Sequence, residues 1–130
     1  MRATPFLMFQ GNAEEAVNFY IATVPDTEWI DIERYGDDMP HAKGTIKLAS
    51  FSIAGQRFLC IDSPVKHAFT FTPATSIFLD CDSEEEIGRL STALVAEGGA
   101  ALMPLNNYGF SRKFAWINDH FGVSWQLNLA

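Results

Sequence analysis

A chain of 130 residues has the length of one compact domain, so a two-domain enzyme is not expected. Hydrophobic residues make up 48% of it and charged residues 19%, which excludes a disordered chain and provides for a large core. A net charge of −7, with no basic run to offset it, repels phosphate backbones, so no nucleic-acid partner is expected.

Pro5 to Gln10 is a short apolar run of strand length, followed by Gly11 and the tetrad Asn12-Ala13-Glu14-Glu15. The tetrad predicts a helix start: Asn12 can accept from the first-turn amides, Glu15 can reach back, and both acids suit the positive helix end. Ala13, Ala16, Val17, Tyr20 and Val24 then recur at helical spacing as one buried stripe, which Pro25-Asp26 stops. Glu28 to Tyr35 alternates and reads as a strand, with Trp29 or its neighbours facing the core. A polar loop, Gly36 to Gly44, leads to a second alternating run, Thr45 to Ile53, and Ala54-Gly55-Gln56 turns the chain into Arg57 to Ile61.

The same order then returns. Thr75 to Cys81 reads as a strand, Ser83 to Glu86 as a capping box, and Ile87, Leu90 and Leu94 as a helical stripe ending at Gly98-Gly99. Ala100 to Leu105 and Arg112 to Asn118 read as strands, and Asp119-His120-Phe121-Gly122 is a turn into the alternating run Val123 to Leu129. Glu14 and Glu84, like Gly55 and Gly122, lie roughly 70 residues apart, which points to duplication of a half-domain rather than to a solenoid. The modules are expected at about 1–66 and 67–130 of a single domain spanning 1–130, each a strand, a helix and about three strands.

Cys60 and Cys81 sit inside apolar runs, without the spacing of a zinc site, and are expected to be core thiols. Met1 to Gln10 carries no basic-then-apolar leader, and no apolar run approaches the roughly 20 residues that cross a bilayer. A cytoplasmic protein without a membrane partner is the expectation.

Several segments together resemble a known family: Phe6-Leu7-Met8-Phe9, Ala13 to Tyr20 (AEEAVNFY), Arg34-Tyr35-Gly36, Phe71-Thr72-Pro73-Ala74, Phe114-Ala115-Trp116 and Asp119 to Leu127 (DHFGVSWQL). They resemble the PhnB-like family of the vicinal oxygen chelate superfamily, the glyoxalase, bleomycin-resistance and extradiol-dioxygenase group. The resemblance spans almost the whole chain, and the last segment is its most specific part. It implies an α+β fold in which two βαβββ modules form a cup-shaped, mainly antiparallel sheet with helices on the outer face, commonly as a homodimer.

In metal-dependent members a His early in the first strand and a Glu in the last strand of each module hold the ion. The resemblance places Pro5 and Gln126 at one such pair of positions and Ser76 and Leu59 at the other. Pro and Leu offer no donor and a Gln carbonyl is a weak one, so no metal ligand and no cofactor are expected. Some members carry a ubiquinone-precursor methyltransferase label, yet no glycine-rich loop follows the first strand to receive a nucleotide-bearing cofactor. No Gly-x-Ser-x-Gly turn and no assignable Cys–His pair supports nucleophilic catalysis.

If Gln126 faces inward, period two sets Ser124 and Asn128 beside it and sends Val123, Trp125, Leu127 and Leu129 beneath the helix. The competing account leaves Ser124, Gln126 and Asn128 on an ordinary solvated sheet face. Gln126, Ser124 and Ser76 are candidates to orient a small organic molecule, with Phe78, which shares the parity of Ser76, as an apolar wall. Tyr108 and Arg112 are candidates to close over it, the guanidinium suiting a carboxylate or phosphate, against a plain surface salt bridge for Arg112. His41 and His67 are candidates for a pocket edge, while His120 reads as a solvated turn residue. His67 with Phe69 and Phe71 has strand spacing and reads as an aromatic wall, or as one face of a core or dimer contact. Asp62 and Asp80 lie at strand ends, where a base could stand, and Glu84, Glu85 and Glu86 belong to a helix start. The leading expectation is a binder of a small organic molecule without a tightly held metal. Alternatives are a metal-assisted lyase, isomerase or dioxygenase whose donors come from His41 or His67 and an Asp, and a dimeric interaction module without a small ligand.

Overall fold

The computed structural model describes all 130 residues, Met1–Ala130, and they divide into two compact units, Met1–Ala68 and Phe69–Ala130. The first unit runs β1 (Phe6–Phe9), α1 (Ala13–Thr23), β2 (Thr27–Arg34), β3 (Ile46–Ile53) and β4 (Gln56–Asp62). Its sheet has the order β1-β4-β3-β2, with β1 and β4 parallel and the remaining pairs antiparallel. β3 and β4 meet through a tight hairpin. Ala54 and Gly55 both take positive φ, 49° and 84°, which matches the right-handed twist of the flanking strands. Ala13, Ala16, Val17 and Tyr20 bury the expected stripe of α1 against Phe51, Phe58 and Cys60.

The expected capping box of α1 does not form. Asn12 occupies the cap position, but its side chain makes no cap hydrogen bond. The carboxylate of Asp62, at the end of β4, does that work instead: Oδ1 accepts from Gly11 N at 2.8 Å and Ala13 N at 2.9 Å, and Oδ2 accepts from Ile46 N at 2.8 Å. Glu14 turns outward into a two-pronged pair with Arg34 of β2, at 2.6 and 2.8 Å, and this pairing lowers its pKa.

The second unit repeats the plan with β5 (Ser76–Asp80), α2 (Glu84–Ala93), β6 (Ala100–Asn106), β7 (Lys113–Asn118) and β8 (Ser124–Leu129). Its sheet order, β5-β8-β7-β6, is that of the first sheet, again with one parallel pair, β5 and β8. Here the expected side-chain cap forms, Ser83 Oγ accepting from Glu86 N, while Glu86 Oε1 reaches back one residue past the cap and accepts from Asp82 N. Ile87, Leu90 and Leu94 are buried with Ala115, Ile117, Trp125 and Leu127. Gly99, just before β6, admits no side chain, because a Cβ would lie 2.6 Å from the Val95 backbone and 2.7 Å from Asn118 O. Asp119 serves the β7–β8 turn much as Asp62 serves α1, accepting from Phe121 N, Val123 N and the indole N–H of Trp125.

Two helices and two four-stranded mixed sheets thus make the α+β, two-module fold expected from the sequence. No helix is long and apolar enough to cross a membrane. The chain between β4 and β5 forms no strand, so Phe69 and Phe71 do not share a strand face as their spacing suggests.

Candidate functional site

The face of the second sheet turned away from α2 gathers four of the candidate residues, Ser76, Phe78, Ser124 and Gln126. Register sets them in rows across β5, β8 and β7: Ser76–Ser124–Asn118, Phe78–Gln126–Trp116, and Asp80–Asn128–Phe114. Residues opposed in this way point to the same side with Cβ atoms about 5 Å apart. A polar column, Ser124, Gln126 and Asn128, is therefore flanked by rings. Gln126 lies between Phe78, 52% exposed, and the half-buried Trp116.

The column is not the solvated face of the competing account at its Ser124 end. Ser124 is 1% exposed, accepts from the indole N–H of Trp116 at 2.9 Å, and shares a hydrogen bond of 2.7 Å with Ser76 Oγ. A hydroxyl has one proton, and a buried one needs an acceptor. With Trp116 already donating to Ser124, the arrangement that satisfies Ser124 sends its proton to Ser76. In that arrangement the proton of Ser76, which is only half-buried, is left for another acceptor. Trp116 is the member that sequence reasoning missed. Extending the period-two argument from β8 to the neighbouring run Phe114-Ala115-Trp116 is the signal that finds it.

Beyond the rows, Tyr108, Phe110 and Phe114 form an aromatic group. Tyr108 stacks on Phe110 at 6.4 Å, and Phe110 meets Phe114 edge-on at 5.0 Å. The Tyr108 phenol donates to Pro104 O, so its ring, and its oxygen only as an acceptor, are available to a ligand. Arg112 is exposed and forms no ion pair, so the surface salt bridge considered for it is absent. Asp80 accepts from Asn128 Nδ2 at 3.0 Å.

The other candidates lie elsewhere. His41 and His67 belong to the first unit, where His41 lines an open cleft and His67 Nε2 lies 2.9 Å from Ser63 Oγ. Asp62 is 2% exposed, and both its oxygens are engaged by backbone amides, so it is a structural acceptor and not a free base. His120 is half-buried with its ring 3.8 Å from that of Phe121, and is not a solvated turn residue. Cys60 and Cys81 are buried free thiols; burial is the main cause pushing Cys60 up to about 12 and Cys81 to about 11.

The donor chemistry of the open face can be set against the divalent cation that the resemblance implies. Its polar groups are two hydroxyls, three amides and one carboxylate that is bonded to Asn128, and nowhere in the chain do three His, Cys, Asp or Glu side chains come together as a cation would require. Pro5 and Leu59, the other two positions, are joined by a backbone bond, Leu59 N donating to Pro5 O, and bring no donor side chain. These residues do not fit the ion. Nor does the β1–α1 turn fit a nucleotide-bearing cofactor, because its Gly11 and Ala13 amides are taken by Asp62.

The fold is glyoxalase-like. A glyoxylase/bleomycin resistance protein/dioxygenase domain from a Frankia species superposes with a TM-score of 0.71 at 13% identity, over 100% of this chain and 97% of that one. The chain belongs to the family described as 3-demethylubiquinone-9 3-methyltransferase, whose model matches residues 1–128. It is 52% identical to a PhnB protein from Bacillus cereus, covering 100% of both chains with a TM-score of 0.93. A protein from Pseudomonas aeruginosa is 29% identical over 99% of this chain and 97% of its own, with a TM-score of 0.79. No curated protein matches the chain.

Proposed function

We propose that this PhnB-type protein binds a small organic molecule on the open face of its second sheet, without a tightly held metal. The observation that carries the reading is the row Phe78–Gln126–Trp116: a primary amide set between two aromatic rings, beside the hydrogen-bonded chain Trp116–Ser124–Ser76. Pockets for small molecules combine apolar walls with a few oriented polar groups, and this face supplies both. The ligand it suits has a flat apolar body for the rings, a polar group for the Ser76 hydroxyl, and a group that can both donate and accept for Gln126. Exposed Arg112 and the Tyr108 and Phe110 rings supply further contact at the β6–β7 connection, Arg112 for an anionic substituent. Methyl transfer finds no support in the β1–α1 turn, and the family description is not by itself a mechanism. Two buried free thiols are consistent with a reducing cytoplasm, and the exposed Phe6, Ile30 and Leu48 with a homodimer.

Metal analysis of protein purified without chelator, combined with thermal-shift screening of small aromatic molecules, tests the proposal. The expected result is no stoichiometric transition metal, a Tm unchanged by chelation, and ligands whose stabilisation disappears in Gln126→Ala and Trp116→Phe. Stoichiometric zinc, iron, manganese or nickel, with a Tm that falls on chelation, would overturn it.

A further inference from the structure

The first unit carries a cleft of about 520 Å³, within the range of small-ligand pockets, and it is built wholly from that unit's residues. The turn after β1 contributes Gln10 and Gly11, the β2–β3 loop contributes His41, Ala42 and Thr45, and the end of β4 with the chain beyond it contributes Asp62, Ser63, Pro64 and Lys66. Most of its polar groups are already committed. Asp62 holds three backbone amides, Thr45 Oγ1 donates to Ala42 O at 2.6 Å, and Ser63 Oγ is shared among Val65 and His67. Gln10 accepts from His67 N through Oε1, which leaves its amide N–H donors uncommitted. The side chains of Lys66 and His41 enter no hydrogen bond, ion pair or ring contact.

Unpaired cations occur elsewhere in the chain, Arg112 among them, but Lys66 is the one that borders this cleft. Asp62 is the only acid in the lining, and of the acids on the adjoining segments Glu14 pairs with Arg34 and Asp37 with Lys43 at 2.7 Å. Asp38 does not line the cleft, and the charge of Asp62 is met by the α1 terminus and by Ile46 N. Uncommitted ammonium, imidazole and amide donors therefore border a hollow whose remaining surface includes the apolar Ala42 and Pro64. We propose that this cleft is a binding site for a small organic anion, whose carboxylate or phosphate group lies between Lys66 and His41 with Gln10 as a third donor.

Amide-resolved NMR titration of the full chain tests this, with inorganic phosphate and malonate as probes and sodium chloride at matched ionic strength as reference. The expected result is saturable shifts confined to residues around Gln10, His41 and Lys66 with at least one probe, and affinity about tenfold weaker or worse in Lys66→Ala/His41→Ala. Both replaced residues are exposed, so the variant keeps its Tm. Saturation by phosphate alone or malonate alone assigns the head group. Shifts that never saturate, or that chloride reproduces, overturn the proposal, as does binding that the double variant leaves intact. Gln126→Ala, altered only on the second sheet, should bind both probes as the parent does, which separates this site from the reading of the open face.

Discussion

A single carboxylate shows how a residue's role can be set by a partner 49 positions away: Asp62 completes α1 from the far end of the first unit's sheet. Read locally, Asn12 is the natural cap and Asp62 a loose acid at a strand end. Both readings fail for one reason, since capping needs an acceptor at the amides and any segment the fold delivers there can supply it. Replacing Asp62 with Asn keeps its shape but gives up the charge and turns an N–H2 group toward at least one amide. We expect a loss of about 2 kcal/mol or more in urea unfolding, while Asn12→Ala costs less than about 0.5 kcal/mol. Equal costs at the two positions would contradict the assignment. Cys60 gives a pH-dependent counterpart. Burial, then the negative charge of Asp62, raises its thiol from the ordinary 9.0 to about 12, so above pH 9 the unfolded chain releases a proton that the folded one retains. Its contribution to stability is whole below pH 9 and is lost progressively up to about pH 12. In Cys60→Ala, urea unfolding should show a correspondingly shallower decline over that window.

At the scale of the element, period was the most legible signal and side-chain partnership the least. Alternation along Val123 to Leu129 places Trp125, Leu127 and Leu129 beneath α2 and Gln126 and Asn128 on the other face, and the register of β8 agrees. Alternation treats Ser124 as one more polar residue, yet Ser124 is buried because the indole of Trp116 and the hydroxyl of Ser76 close over it. Those partners come from β7 and β5, and nothing local in β8 announces them. An alanine scan of β8 should therefore oscillate. Leu127→Ala is expected to cost about 2–5 kcal/mol by opening a cavity beneath α2, and Gln126→Ala, one residue earlier, less than about 0.5 kcal/mol. Ser124→Ala breaks the rhythm by leaving the Trp116 N–H without an acceptor, at about 1–3 kcal/mol. Chemical denaturation of the three variants reads this directly, and a flat profile would mean that the two faces of the sheet are equally buried.

For the whole molecule, the duplicated order of strand, helix and three strands was visible because each copy carries its own punctuation: an acidic helix start and a glycine turn before its last strand. The candidate sites were far less visible. The open face depends on pairing among β5, β8 and β7, and the cleft of the first unit on three segments far apart in sequence, so neither leaves a contiguous motif. What the sequence does carry at this scale is charge. A total of −7 acts over the Debye length of about 8 Å at physiological salt, beyond any single side chain, and opposes approach of a polyanion whatever local basic groups exist. The donors at Lys66 and His41 are two side chains in a hollow. They can meet one small anion, but they cannot neutralise the run of phosphates on which duplex binding depends. The protein should therefore leave the mobility of a duplex oligonucleotide unchanged even at low salt, while inorganic phosphate or malonate still shifts the amides of the cleft. A mobility shift that weakens steeply with added salt would show instead that the charge is segregated enough for one surface to act as a polycation.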